Sequence, residues 1–231
     1  MEQKTNLILL HGALGSMNQF EPLMQELAAD FNCHTFNFGG HGGAAFKTNF
    51  SIHGFFEELT DFVNLKNLHH AFVFGYSMGG YVALYAELLQ PGSFKGIFTL
   101  GTKFKWTPES AQNEANYLVP AKMEEKVPDY ANYLKQLHGD NWKELVEKTA
   151  SMMLALGENP LINLHNIAEI EIPLRIGLGD RDKMVSLEET IEIFRSAKNA
   201  SLMVMAKTPH PFEKVDVTRL AYKIKTFAAK T

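Results

Sequence analysis

Short apolar runs alternate along this chain with stretches whose apolar residues recur at three- and four-residue spacing. The runs are Leu7–Leu10, His34–Phe38, Ala71–Tyr76, Ile97–Leu100, Arg175–Gly179 and Ser201–Met205. Their shortness and their flanking glycines predict buried strands rather than buried helices. Helical spacing fills the intervals over about 18–30, 51–65, 78–90 and 187–197. A last helix, roughly 212–229, puts Leu220, Ile224 and Phe227 on one face. Strand and helix in alternation predict βαβ units and a parallel sheet.

The alternation breaks between about 104 and 168. That stretch carries Pro108, Pro120, Pro128 and Pro160, and its best helix is 141–156, where Trp142, Leu145, Val146, Thr149, Met152, Met153 and Leu156 fall at helical spacing. The expected organisation is an α/β core over 1–103 and 169–231, with a helical cap over 104–168 inserted after the fourth strand. Of the large cap side chains Trp106, Tyr117, Tyr130, Tyr133, Trp142, Met152 and Met153, about one in three is expected to face a pocket and the rest to pack the cap on the body.

The chemistry enters at Gly75-Tyr76-Ser77-Met78-Gly79-Gly80, which follows the run Ala71–Phe74 and precedes Tyr81–Ala86. This is the strand–turn–helix setting that a G-x-S-x-G motif requires. A serine on so tight a turn takes a strained backbone, so its neighbours must be small. In return its hydroxyl stands clear of the sheet, with a helix N-terminus beside it for developing negative charge. Serine needs a base. His210, in Thr208-Pro209-His210-Pro211 between the last strand and the last helix, can return to the strand ends where Ser77 stands. An acid to orient it is expected after the preceding strand, where Asp180 and Asp182 compete; Gly101-Thr102-Lys103 offers no carboxylate. The order Ser, Asp, His is one of three known triad orders. Two amides for an oxyanion are expected from Met78 and from the loop His11-Gly12-Ala13-Leu14-Gly15, with Ala13 as donor and His11 as a brace.

Composition narrows the rest. Apolar residues make up 45% and charged residues 21%, with a formal charge of −4; this is globular composition with no basic footprint for nucleic acid. Leu7–Leu10 is too short for a signal-peptide core or a membrane span, so a cytoplasmic location and no membrane partner are expected. Cys33 is the single cysteine, and G-x-G-x-x-G after the first strand, a P-loop and H-E-x-x-H are all lacking. No cofactor and no metal are expected.

Taken together, Leu10-His11-Gly12, Gly75–Gly80, Gly179-Asp180-Arg181-Asp182 with Val185, and Thr208-Pro209-His210 resemble the α/β-hydrolase superfamily over most of the chain. The resemblance implies the α/β-hydrolase fold, a catalytic triad of Ser77, Asp182 and His210, and an acyl-serine intermediate; its G-x-x-D pattern favours Asp182 over Asp180. Three departures stand out. The family's early strands are missing, which leaves about six parallel strands. Asn37-Phe38-Gly39-Gly40-His41-Gly42-Gly43 replaces the usual Asp-x-Pro-Gly-His-Gly-x-Ser, which implies a looser or reshaped loop around a structural His41. Pro209 precedes the histidine in place of glycine.

The chain also resembles a menaquinone-pathway synthase, but Tyr81 stands where that enzyme carries an arginine for an anionic substrate. The expected activity is hydrolysis of a small, apolar carboxylic ester or thioester. Leu14, Tyr76, Trp106, Met152 and Met153 are the candidate substrate contacts. The alternatives are carbon–carbon lysis or hydrolysis on the same triad, and a non-catalytic ligand-binding homologue.

Overall fold

The computed structural model describes residues 4–47 and 49–229. The outermost residues of the expected core, 1–3 and 230–231, and residue 48 lie outside that part. Six strands, β1 (Thr5–Leu10), β2 (Phe31–Thr35), β3 (Phe72–Tyr76), β4 (Gly96–Leu100), β5 (Leu174–Gly179) and β6 (Ala200–Met205), form one sheet in the order β2-β1-β3-β4-β5-β6. Every neighbouring pair runs parallel, as the alternation of strand and helix requires.

The α-helices of the described residues are α1 (Glu21–Leu27), α2 (Ile52–Lys66), α3 (Met78–Leu89), α4 (Pro108–Ala115), α5 (Pro120–Lys126), α6 (Pro128–His138), α7 (Trp142–Glu158), α8 (Leu187–Ser196) and α9 (Val217–Ala228). The period of two along β1 sorts its side chains to opposite faces. Leu7 and Leu9 pack with Leu23 and Leu27 of α1 and Leu220 and Ile224 of α9. Ile8 and Leu10 pack with Phe55 and Leu59 of α2, Val82 of α3 and Ile193 of α8. Helices therefore cover both faces, and nearly continuous apolar strands such as β3 are buried throughout.

Two boundaries differ from the sequence expectation. The second strand is Phe31–Thr35 rather than His34–Phe38. Phe36 and Phe38 lie past its end, where Phe36 stacks on Phe62 and Phe38 packs against Phe55, both of α2. The last helix is also split: a 3-10 turn spans Phe212–Lys214, and α9 starts only after Asp216, whose carboxylate accepts from the Arg219 amide at 3.0 Å as a cap.

The segment between β4 and β5 holds α4 to α7 and no described strand. It has a small core of its own, with Met123, Ala131, Leu134, Trp142, Leu145 and Val146 packed around Leu14. Where it leaves the body, the buried carboxylate of Glu189, in the first turn of α8, accepts from the Phe104 and Lys105 amides at 2.9 and 3.1 Å. Among the described residues no helix is long and apolar enough to cross a membrane.

Candidate active site

The strand order reverses direction beside β1 and β3, and in such sheets the ligand crevice lies at the carboxyl ends of the strands flanking that point. Ser77 stands there, between β3 and α3, with φ 50° and ψ −116°. The turn is held by the Ser77 amide donating to the Leu100 carbonyl at 2.9 Å, and by the Thr102 hydroxyl donating to the Ser77 carbonyl at 2.9 Å. Two glycines make it possible. A Cβ on Gly75 would come within 2.4 Å of the Gly80 backbone, and one on Gly79 within 2.2 Å of the Leu10 carbonyl oxygen.

Asp182 and His210 meet across the loops after β5 and β6. His210 Nδ1 lies 2.7 Å from Asp182 Oδ2, and the Asp182 side chain is only 2% exposed. The other oxygen, Oδ1, accepts from the Met184 and Val185 amides, each at 2.9 Å. The carboxylate is thus fixed on both sides, with its second oxygen aimed at the imidazole. Asp180 is placed differently: it is exposed, and its Oδ1 accepts from the Thr208 amide at 3.1 Å, tying the two loops together. The Tyr76 hydroxyl donates to the His210 carbonyl, and burial pushes that phenol's pKa up, so it remains a donor. Gly101, at φ +65°, passes so close that a Cβ would lie 3.3 Å from Asp182 Oδ2.

The turn after β1 closes through the Gly15 amide donating to the Gly12 carbonyl at 3.1 Å, with Leu14 at φ 58°. A Cβ on Gly12 would sit 3.2 Å from the Ser77 Cβ, so this turn passes close beside the serine. Met78 is the first residue of α3, where no carbonyl one turn back accepts its N–H. The expected oxyanion donors, Ala13 and Met78, belong to the two segments that flank Ser77.

Three buried histidines support this turn. His11 has one nitrogen 2.8 Å from the Gly12 carbonyl, and its Nε2 accepts from the Phe38 amide at 3.1 Å. Burial lowers its pKa to about 4. His138, at the end of α6, lies 3.0 Å from the Leu14 carbonyl through Nε2 and accepts from the Gly42 amide through Nδ1 at 2.9 Å. His41 packs between them, 4.9 Å from the His11 ring and 6.0 Å from the His138 ring by centroid. The loop expected to be looser or reshaped is tied through Asn37. The Asn37 side chain accepts from the Met17 amide at 2.7 Å and donates to the Gly42 carbonyl at 3.3 Å, so it braces the turn that an aspartate and a proline would otherwise shape.

Two cavities meet at Ser77. One, of about 490 Å³, is bordered by Leu14, Tyr76 and His210 and by Tyr130 and Tyr133 of α6. The other, of about 40 Å³, is bordered by Met78, Trp106, Met152 and Leu156. Met153 lines both. All of the candidate substrate contacts thus border one cavity or the other.

Of the large side chains in the insertion, Trp106, Tyr130, Tyr133, Met152 and Met153 border the cavities, more than the one in three expected. Tyr117 is exposed and Trp142 is buried in the insertion's own core. Sequence reasoning missed Ile52, Met184, Gln19 and Glu213 as lining residues, and took Tyr81 only as a replaced arginine. Met184 and Glu213 could have been found, because each lies within three residues of Asp182 or His210. Ile52 and Gln19 carry no local signal. No group of His, Cys, Asp and Glu among the described residues is arranged to hold a metal ion.

The family model described as the alpha/beta hydrolase fold matches residues 5–139. A pimeloyl-[acyl-carrier protein] methyl ester esterase from Neisseria meningitidis is 24% identical over 226 residues, 88% of this chain and 86% of that protein. Among solved structures, a putative lipase from Acinetobacter baumannii superposes with a TM-score of 0.84 at 19% identity, covering 100% of this chain and 85% of its own. The enol-lactonase from Burkholderia xenovorans gives 0.77 at 14% identity, covering 99% and 92%. These structural likenesses concern the fold.

Proposed function

This chain belongs to the alpha/beta hydrolase fold family, and from that premise we propose that it is a serine hydrolase cleaving carboxylic esters of small, predominantly apolar molecules. The observation that carries the reading is the buried Asp182–His210 contact of 2.7 Å, set beside a serine on a strained turn at one cavity wall. The similarity to methyl ester esterases supports ester chemistry.

In the proposed reaction His210 takes the Ser77 proton as Ser77 Oγ attacks the ester carbonyl, and Asp182 holds the imidazole in the tautomer that can accept it. The negative oxygen is received by the Ala13 and Met78 amides, aided by the N-terminus of α3. His210 then gives the proton to the departing alcohol, leaving an acyl-Ser77 ester. Water, deprotonated by the same histidine, attacks that ester and releases the acid. The helical insertion serves as the cap: Met152 and Leu156 pack with the body core while Met153 walls both cavities. Such an enclosure excludes water from the charges that form. Cofactor-free chemistry in the cytoplasm on a small molecule is part of the same proposal.

The test is labelling with a fluorophosphonate, read by intact mass. One adduct is expected on the natural protein and none on Ser77→Ala. An unlabelled natural protein overturns the assignment of Ser77 as an activated nucleophile.

A further inference from the structure

Ser77 stands at a neck between two unequal cavities, and His210 borders only one of them. That asymmetry fixes which part of an ester goes where. When a serine attacks, the tetrahedral carbon carries the serine oxygen, the oxyanion, the leaving oxygen and the acyl chain. The oxyanion must face the Ala13 and Met78 amides. The leaving oxygen must face His210, because the proton taken from Ser77 is handed to it. The acyl chain takes the one direction left, away from the histidine. The cavity of about 490 Å³, which contains His210, therefore holds the alcohol, and the cavity of about 40 Å³ holds the acyl chain.

The acyl side has little room and stiff walls. Its free space is less than a tenth of that on the alcohol side. The Tyr81 hydroxyl accepts from the Leu161 and Ile162 amides at 3.1 and 2.9 Å, which anchors that ring. Ile52 and Leu156 belong to the main core, so enlarging the cavity would disturb packing that carries the fold. On the alcohol side, Tyr130 and Tyr133 stack at 6.2 Å between centroids and offer aromatic surface. Glu213 borders the same cavity, next to Tyr133, and disfavours an anionic alcohol.

We propose that the two cavities meeting at Ser77 select esters of short acids with bulky uncharged alcohols. The inference rests on Ser77 being the nucleophile. It goes further by naming which half of the ester is large.

A matched pair of isomers tests it, since phenylpropyl acetate and methyl phenylbutanoate share one formula and have leaving groups of similar basicity. The acetate is expected to be cleaved with a kcat/KM about tenfold or more above its isomer, the discrimination typical of a pocket that cannot take extra methylenes. The same preparation is labelled with a fluorophosphonate. Failure of Ser77 to label overturns the serine-hydrolase reading and this one with it. Labelling together with equal rates, a reversed preference or cleavage of neither isomer overturns the pocket assignment alone.

Two variants localise the effect. Leu156→Ala is expected to raise activity on nitrophenyl hexanoate relative to nitrophenyl acetate by about tenfold. Tyr130→Ala is expected to leave that acyl profile unchanged while altering the ranking of acetates by alcohol size. An acyl profile that moves with Tyr130→Ala and not with Leu156→Ala reverses the assignment.

Discussion

Asp180 and Asp182 are two residues apart, and the structure gives them different work. Asp182 has one oxygen on two backbone amides and the other on His210, while Asp180 spends an oxygen on the Thr208 amide. Asp182→Asn is therefore expected to lower kcat by about 10⁴-fold with little change in fold, because an amide at that place favours the wrong imidazole tautomer. Asp180→Asn keeps a carbonyl oxygen for Thr208, and its esterase activity is expected to stay within a few-fold of the natural protein. Steady-state assays beside circular dichroism check both, and equal losses in the two variants would refute the division of roles. Glu213 offers a second contrast at this scale. Glu213→Gln is expected to raise the relative rate on acetates whose alcohol part carries a carboxylate. Because Glu213 is exposed, that gain should shrink as salt is added; a ratio unmoved by either change would remove Glu213 from the specificity argument.

Elements with one simple job were legible in the sequence, and those with two were not. The fully buried strands β3 and β4 lie within a residue of where their apolar runs put them. The edge strand β2 does not, because only Phe31 among its residues is buried. The strongest apolar signal nearby comes from Phe36 and Phe38, which pack from the loop against α2. The serine turn, the aspartate loop and the histidine loop were readable because each needs local sequence: glycines around a strained residue, a carboxylate after a strand, prolines about a histidine. The cavity walls were not, since Gln19 and Ile52 come to border the cavities at Ser77 only through tertiary packing. Tyr81 shows the same limit, for its position in α3 says nothing of the Leu161 and Ile162 amides that it receives when the insertion returns. Tyr81→Phe leaves both donors without that acceptor. It is expected to cost about 1–3 kcal/mol in urea unfolding, and a cost near zero would mean that this join contributes nothing to stability.

At the scale of the whole molecule, three neutral histidines connect parts that are far apart in sequence. His11 joins the turn after β1 to Phe38, and His138 joins α6 to Leu14 and to Gly42. His11 and His138 each accept a backbone N–H with one ring nitrogen, so each must keep that nitrogen unprotonated. Burial lowers the pKa of all three below the ordinary 6.5, His11 to about 4. The unfolded chain therefore binds protons first as pH falls from about 6.5 toward 4, and stability falls with it. The shift of His11 alone corresponds to on the order of 3 kcal/mol once the pH has passed below its folded value. Glu58 and Glu87 act in the opposite sense, since burial raises their carboxyls and the folded state takes up those protons first. The net expectation is a urea midpoint that is flat above about pH 7 and declines between about pH 6.5 and 4, with His138→Gln less stable at neutral pH but less steep in acid. A midpoint independent of pH over that window, or a His138→Gln slope equal to that of the natural protein, would show that the histidine cluster does not control acid stability.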